Sequence, residues 1–146
     1  ILFGNGGSAS DSQHIAAELV GRFQLERKAL PAISLSSNIS VITALANDFG
    51  YENIFLKQIE ALATDKDLVI ALSTSGQSQN ILDALSYAKS NGIKSVGLTG
   101  QDPGGMASYC DYLIKVPSTK PSLIQQSHIT IGQLLCLVIE DYFFNK

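Results

Sequence analysis

Two segments of the sequence combine glycines with hydroxyl side chains, a composition suited to binding an anion. Residues 4–10 read Gly-Asn-Gly-Gly-Ser-Ala-Ser, and residues 73–78 read Ser-Thr-Ser-Gly-Gln-Ser. Each follows an apolar run and precedes a helical pattern, so each would open a helix whose free N–H groups and positive dipole end favour an anion. The alternative is that these residues only cap helices and turn the chain. The second segment has no lysine and predicts a phosphate monoester held by neutral donors, namely Ser73, Thr74, Ser75 and Ser78.

Neither segment has the glycine spacing of a nucleotide-binding loop. The dinucleotide pattern G-x-G-x-x-G and the P-loop pattern G-x-x-x-x-G-K-[ST] are absent from both. The sequence therefore disfavours NAD and ATP and predicts no nucleotide cofactor.

His14 and Glu18 follow the first of these segments and lie four residues apart in a helical pattern. Residues at this spacing share one face of a helix. The two side chains could be a base and its partner, or two ligands of one metal ion. A surface pair without a chemical role is the alternative, and the spacing alone favours it.

Two further places carry polar residues that could contact a ligand. Asn47 and Asp48 end a helical pattern, where Asp48 could orient a sugar hydroxyl or simply help to stop the helix. In the last helical pattern Gln125, Ile129 and Gln133 form one stripe of an otherwise apolar helix. The stripe could bind a ligand or pair with another helix in an oligomer, because buried amides must be hydrogen-bonded.

Short apolar runs alternate with helical patterns, which predicts an α/β fold with parallel strands and right-handed crossovers. Residues 68–72 are apolar throughout, which is typical of a strand buried on both faces. We expect a five-stranded parallel sheet in a three-layer αβα sandwich, forming a single domain over residues 1–146. The predicted strands are 1–3, 32–35, 68–72, 95–98 and 112–116, and the predicted helices are 10–23, 40–47, 51–63, 80–90 and 122–143.

The composition is that of a folded domain. The chain has 146 residues, of which 45% are hydrophobic and 16% are charged, with a net charge of −3. This excludes a disordered chain, and the lack of basic excess argues against nucleic-acid binding. The charged fraction is below the ~25% of an average soluble chain. A sheet buried on both faces and a subunit interface would each explain that low fraction.

The sequence also indicates where the protein acts. Cys110 and Cys136 form no C-x-x-C motif and predict free thiols in the reducing cytoplasm. No signal peptide is visible at the start of the sequence, and Met106 is the single methionine, so we expect an N-terminal segment to be missing. Residues 121–139 are apolar but interrupted by glutamines and His128, so we expect no membrane span.

Five motifs occur in the order seen in phosphoheptose isomerases, which are members of the SIS (sugar isomerase) domain superfamily. They are Gly-Asn-Gly-Gly-Ser at residues 4–8, His-Ile-Ala-Ala-Glu-Leu at 14–19, Asn-Asp-Phe-Gly at 47–50, Ser-Thr-Ser-Gly-Gln-Ser at 73–78 and Ile-Gln-Gln-Ser-His at 124–128. The chain resembles this family over essentially its whole length. The resemblance implies a flavodoxin-like sandwich and a homotetramer with sites between subunits. It also implies conversion of sedoheptulose 7-phosphate to a manno-heptose 7-phosphate, for lipopolysaccharide or capsule.

The resemblance also implies roles for residues at matching positions. Glu18 would move a proton between C1 and C2 through an enediol, and Gln133 stands where the family has a second acid/base. His14, Glu18 and Gln125 would be zinc ligands in members that carry zinc. The residues expected to bind the substrate are Asn5, Gly6, Gly7, Ser8, Asn47, Asp48, Ser73, Thr74, Ser75, Ser78 and Gln125.

The sequence departs from the family at the position of Gln133, which is a histidine in the family. An amide can hold an oxygen atom by hydrogen bonds, but it cannot exchange protons near neutral pH. Leu123 and Gln126 also replace an arginine and a glutamate of the family motif. A relative that associates with a replication initiator lacks the histidine and works as a tetrameric scaffold. A non-catalytic protein that binds sugar phosphates or other proteins is therefore the alternative to an active isomerase.

Overall fold

The computed structural model describes residues 1–144 and shows an α/β fold built on one parallel sheet. Neighbouring strands in the sheet are also consecutive in the chain, in the order β1-β2-β3-β4, and all three pairings are parallel. Parallel neighbours of this kind require crossover connections, which the helices supply. The strands are β1 (Leu2–Gly4), β2 (Leu68–Leu72), β3 (Lys94–Thr99) and β4 (Tyr112–Lys115).

Within residues 1–144 the sheet has four strands, so the prediction of five strands is wrong in this detail. Residues 32–35 form a single parallel bridge to β1, between Leu2 and Ser34. The chain turns away directly afterwards, because the Ser37 N–H and hydroxyl both donate to the Ser34 carbonyl. Hydroxyl side chains that bond to the nearby backbone in this way favour a turn over a longer strand.

Helices cover both faces of the sheet, which confirms the α/β layers. They are α1 (Gly7–Val20), α2 (Ile39–Phe49), α3 (Leu56–Leu62), α4 (Gln79–Ser90) and α5 (Pro121–Phe144), with 3₁₀ turns at Tyr51–Asn53 and Gly104–Ser108. One apolar cluster contains Phe3, Phe55 and Leu85 and includes residues of α3 and α4. The other contains Leu2, Ile15 and Cys136 and includes residues of α1 and α5.

Two predicted helices differ most from those observed, and the bounds of the other three differ by one or two residues. Helix α1 begins at Gly7, three residues before the predicted start, so one glycine of the first anion-binding segment belongs to its first turn. The predicted helix 51–63 is divided into the 3₁₀ turn Tyr51–Asn53 and α3.

Helices α1 and α5 lie side by side and run in the same direction. A Cβ atom added at Gly7 would lie 2.7 Å from Gln125 Nε2, and one added at Gly132 would lie 2.5 Å from Ile15 Cγ1. Further along, the Phe23 N–H donates to the Glu140 carboxylate at 2.8 Å. Positions further along α1 therefore contact positions further along α5.

Helix α5 is, within residues 1–144, the one helix long and apolar enough to cross a membrane by length and composition alone. Core helices of soluble proteins pass the same criterion. Its His128 and Glu140 side chains are buried and hydrogen-bonded within the protein. We therefore interpret α5 as a helix of the sandwich.

Candidate active site

The two predicted anion-binding segments meet at the carboxyl edge of the sheet. The last residues of β1 and β2, Gly4 and Leu72, are paired in register, so the segments that follow them start side by side. A pocket of about 60 Å³ lies between them, large enough for a group the size of a phosphate. Besides Leu72, its lining consists of six of the predicted residues: Asn5, Ser8, Ser73, Thr74, Ser78 and Gln125.

Three of the larger grooves on the described chain lie elsewhere, so size alone does not identify the site. They measure about 360, 370 and 470 Å³, and each has Ile33 in a mainly apolar lining. None of the three is lined by the glycine- and serine-rich segments that follow β1 and β2. The small polar pocket has the chemistry of an anion site, and the grooves do not.

The segment 73–78 keeps hydrogen-bond donors available for a ligand. The Ser73 hydroxyl accepts from the Gly76 N–H at 3.1 Å, and the Ser75 hydroxyl accepts from the Gln77 N–H at 3.2 Å. A hydroxyl that accepts one hydrogen bond still has its own hydrogen to donate. In the described chain Ser78 precedes α4 without a side-chain cap to it, so capping does not use its hydroxyl.

Asn5 is held by two residues that the sequence patterns did not single out. Its amide forms a reciprocal pair with that of Asn80, with both N–O distances 2.9 Å. The Tyr51 hydroxyl also donates to Asn5 Oδ1, at 3.0 Å. The sequence does carry a signal for Asn80, because it is the polar member of the helical stripe 80, 84, 88. All three residues of this stripe are buried in α4.

His14 and Glu18 face the same way on α1, as their spacing predicts. The distance from His14 Nε2 to Glu18 Oε1 is 3.1 Å, and the side chains are 49% and 24% exposed. Glu18 lies ten residues after Ser8, which is about 15 Å along the helix axis. A ligand anchored in the pocket must therefore extend along α1 to reach this carboxylate.

The structure separates the predicted zinc ligands within one chain. Gln125 lies over Gly7, which is about 10 Å along the helix axis from His14. In the part of the chain that the structure describes, no group of three His, Cys, Asp or Glu side chains could hold a metal ion. Zinc sites ordinarily take three or four such ligands. One chain therefore does not fit a complete zinc site.

Gln133 is half-buried on α5. It follows Gly132, which packs against Ile15, and is therefore level with the turn of α1 that carries His14 and Glu18. His128 lies deeper, and its Nε2 is 3.2 Å from the Thr99 carbonyl at the end of β3. Burial lowers the pKa of His128, although the hydrogen bond with Thr99 opposes this shift. His128 is thus a neutral link between α5 and the sheet.

Asn47 and Asp48 are near the site but contact each other. The Asn47 amide donates to Asp48 Oδ1 at 2.8 Å, and both side chains are exposed at the end of α2. Tyr51, which follows α2, makes the contact with Asn5. The expected contact of Asn47 and Asp48 with substrate stays a prediction.

Asp11 is a further residue that the sequence patterns did not single out. Its Oδ2 atom is buried and has no hydrogen-bond partner within residues 1–144. Burial raises the pKa of Asp11, and the nearby His14 partly offsets this. Asp11 lies on α1 one turn after Gly7 and one turn before His14, between the pocket and Glu18.

Comparison with known proteins identifies the family to which this chain belongs. Residues 1–100 match the model of the SIS domain. The chain is 52% identical over 143 residues to a phosphoheptose isomerase of Nitratiruptor, a match that covers 98% of this chain and 76% of that protein. It is 50% identical over 146 residues to a phosphoheptose isomerase of Helicobacter pylori, covering 100% of this chain and 76% of the relative.

Solved structures agree with the sequence matches. The phosphoheptose isomerase of Neisseria gonorrhoeae superposes with a TM-score of 0.89 at 37% identity, covering 96% of this chain and 75% of that one. The phosphoheptose isomerase of Francisella tularensis gives a TM-score of 0.91 at the same identity and coverage. The chain therefore belongs to the phosphoheptose isomerase family of SIS-domain proteins.

Proposed function

We propose that this protein is an aldose–ketose isomerase that converts sedoheptulose 7-phosphate to D-glycero-D-manno-heptose 7-phosphate. The observation that carries the proposal is the small pocket lined by neutral donors, beside the helix that carries Glu18. Family membership supports the substrate, because the relatives are phosphoheptose isomerases.

The phosphate would bind in the pocket between the two segments. Serine and threonine hydroxyls, the Gln125 amide and N–H groups at the start of α1 and α4 would donate to its oxygens. Side chains on a helix lean toward its N-terminus, which brings the Glu18 carboxylate closer to the pocket than the axial distance suggests. An open seven-carbon chain would then extend from the pocket along α1, with C1 and C2 near Glu18.

Glu18 would act as the base. Its carboxylate would remove a proton from C1 of the ketose, giving an enediol, and would return a proton to C2 to give the aldose. Gln133 cannot supply or take a proton near neutral pH, so it would hold a substrate oxygen by its amide. The proton on oxygen would then pass between O1 and O2 directly or through water.

Zinc stays a prediction from the resemblance. One chain supplies the His14–Glu18 pair, and a zinc site would need further ligands from a neighbouring subunit. No step of the proposed mechanism uses a metal ion.

The protein would work as a homotetramer with sites between subunits, in the cytoplasm. Exposed apolar side chains on the outer face of α5 support an interface: Leu134, Val138, Tyr142 and Phe143 are 55%, 63%, 70% and 61% exposed. Burial raises the pKa of both cysteine thiols to about 11, which keeps them protonated and unreactive.

A non-catalytic sugar-phosphate-binding or scaffold tetramer is the second candidate, and Gln133 is the observation that favours it. The two candidates are separated by incubating the protein with sedoheptulose 7-phosphate in heavy water and recording NMR spectra. An isomerase places deuterium on C2 of the product, and Glu18→Gln abolishes this. Glu60→Gln on α3 is the matched control, because Glu60 pairs with Lys57 on the surface. Binding of the sugar phosphate without exchange at high protein concentration, with and without added zinc, would refute the isomerase.

A further inference from the structure

We infer that Arg27 and Glu140 form a buried clasp that positions Glu18 for proton transfer. The two side chains are 2% and 1% exposed, and Arg27 Nε lies 2.9 Å from Glu140 Oε1. This inference rests on the proposed function, because it assigns these residues a role in the same reaction. Both act through the backbone of α1, so they are positioning residues.

The Glu140 carboxylate is fully occupied by the segment that follows α1. Three successive backbone N–H groups, those of Phe23, Gln24 and Leu25, donate to it at 2.8, 2.8 and 3.0 Å. Burial raises the pKa of Glu140, but these donors and Arg27 outweigh it and hold the pKa at about 2. Glu140 is therefore an anion on α5 around which the chain leaving α1 is folded.

Arg27 connects this anion to the last turn of α1. Its Nη2 donates to the Glu18 carbonyl at 2.9 Å, and its Nη1 donates to the Leu19 carbonyl at 2.8 Å. Helix α1 ends at Val20 and has no basic residue in its last turn. The last carbonyls of a helix lack partners within the helix, and a cation there also complements the helix dipole. Arg27 satisfies two of these carbonyls, one of which belongs to Glu18.

The position of Glu18 depends on its backbone more than on its side-chain contacts. The His14 side chain, the partner of Glu18 at 3.1 Å, is itself half exposed. The clasp fixes the end of α1 to α5, the helix that carries Gln125 and Gln133. A misplacement of about 1 Å can cost about 100-fold in rate, so loosening this turn would reduce turnover more than binding.

The test compares Arg27→Lys with a control substitution in a more exposed ion pair away from α1. Lysine keeps the charge beside Glu140 but loses the planar fork that reaches two carbonyls. The control is Asp111→Asn, because Asp111 pairs with Lys94 at 2.9 Å and accepts from the Ser95 N–H, at the amino ends of β3 and β4. We expect Arg27→Lys to lower kcat about 10- to 100-fold with KM within about threefold, and Asp111→Asn to leave both unchanged.

Hydrogen exchange gives a second readout that does not depend on turnover. Amides in the last turn of α1 should exchange faster in Arg27→Lys, while those of α4 stay protected. An unchanged kcat, or a fall in kcat matched by the loss of folded protein, would overturn the inference in an active enzyme. If the wild type itself shows no turnover, the proposed function fails and kinetics cannot test the clasp. In that case the exchange rates decide: equal exchange of the α1 amides in the wild type and in Arg27→Lys would reject the clasp.

Discussion

Replacing Gly76 by alanine should damage the phosphate pocket by a mechanism that the structure defines. Gly76 lies in the middle of the segment 73–78 with φ of 63°, a conformation that L side chains rarely adopt. An added Cβ would lie 2.5 Å from the carbonyl carbon of Pro103 and 3.1 Å from the Gly104 nitrogen. These are backbone atoms, so no side-chain rotation relieves the overlap.

Gly92→Ala is the matched control. Gly92 has φ of 72°, but a Cβ there would meet nothing within 4 Å. Both substitutions carry the strain of a positive φ, about 1–2 kcal/mol. Only Gly76→Ala adds the overlap, which is worth about 1–3 kcal/mol if the chain stays folded. For a domain of this size each kcal/mol lowers Tm by about 4 °C.

Relief of the overlap requires a shift of about 1 Å in the segment that carries Ser73, Thr74 and Ser75, since ordinary contacts to carbon are about 3.5 Å. Such a shift corresponds to a loss of about 100-fold in kcat/KM, or about 2.7 kcal/mol of transition-state stabilisation. The assay is turnover of sedoheptulose 7-phosphate by both variants at temperatures where both are folded. Equal kcat/KM for Gly76→Ala and Gly92→Ala would refute the reasoning.

Three more outcomes follow from the same structure. Gln133→His should raise kcat about 100-fold or more, because it adds a group that exchanges protons, while KM changes little; steady-state kinetics would show it. Asn80→Ala should weaken phosphate binding about 10-fold by releasing Asn5, which calorimetry with inorganic phosphate can measure. The pKa of Glu140 is depressed from 4.5 to about 2, so its ionised form contributes stability that is present above pH 4.5 and lost as pH falls through 2. Circular dichroism should therefore show that Glu140→Gln removes this part of the pH dependence.

The order of strands and helices follows from the sequence because apolar runs mark buried parallel strands. Residues 68–72 are predicted and observed as β2 with the same bounds. The prediction of a strand at residues 32–35 was wrong because hydrogen bonds between Ser34 and Ser37 turn the chain there. Local hydroxyl bonding of this kind depends on the folded geometry, which hydrophobic periodicity does not report.

The sequence predicts which residues line the pocket, but not the hydrogen bonds that hold them in place. Glycine and serine content located both segments, and the rule that parallel strands end at one edge brought them together. The buried stripe of α4 marks Asn80 as a polar core residue but does not give its partner, and Tyr51 has no signal in the sequence; both gain their role by contact with Asn5.

The pairing of Arg27 with Glu140 was likewise not predictable from the sequence. They lie 113 residues apart in the chain, and each belongs to a segment without a recognisable motif. Their pairing depends on α1 and α5 lying side by side in the same direction, which is a property of the assembled sandwich. The sequence supplies the carboxylate proposed to react, Glu18, whereas tertiary packing supplies the contacts that fix the end of its helix. The residues that position a reacting group can therefore be found only after the fold has shown which helix ends meet.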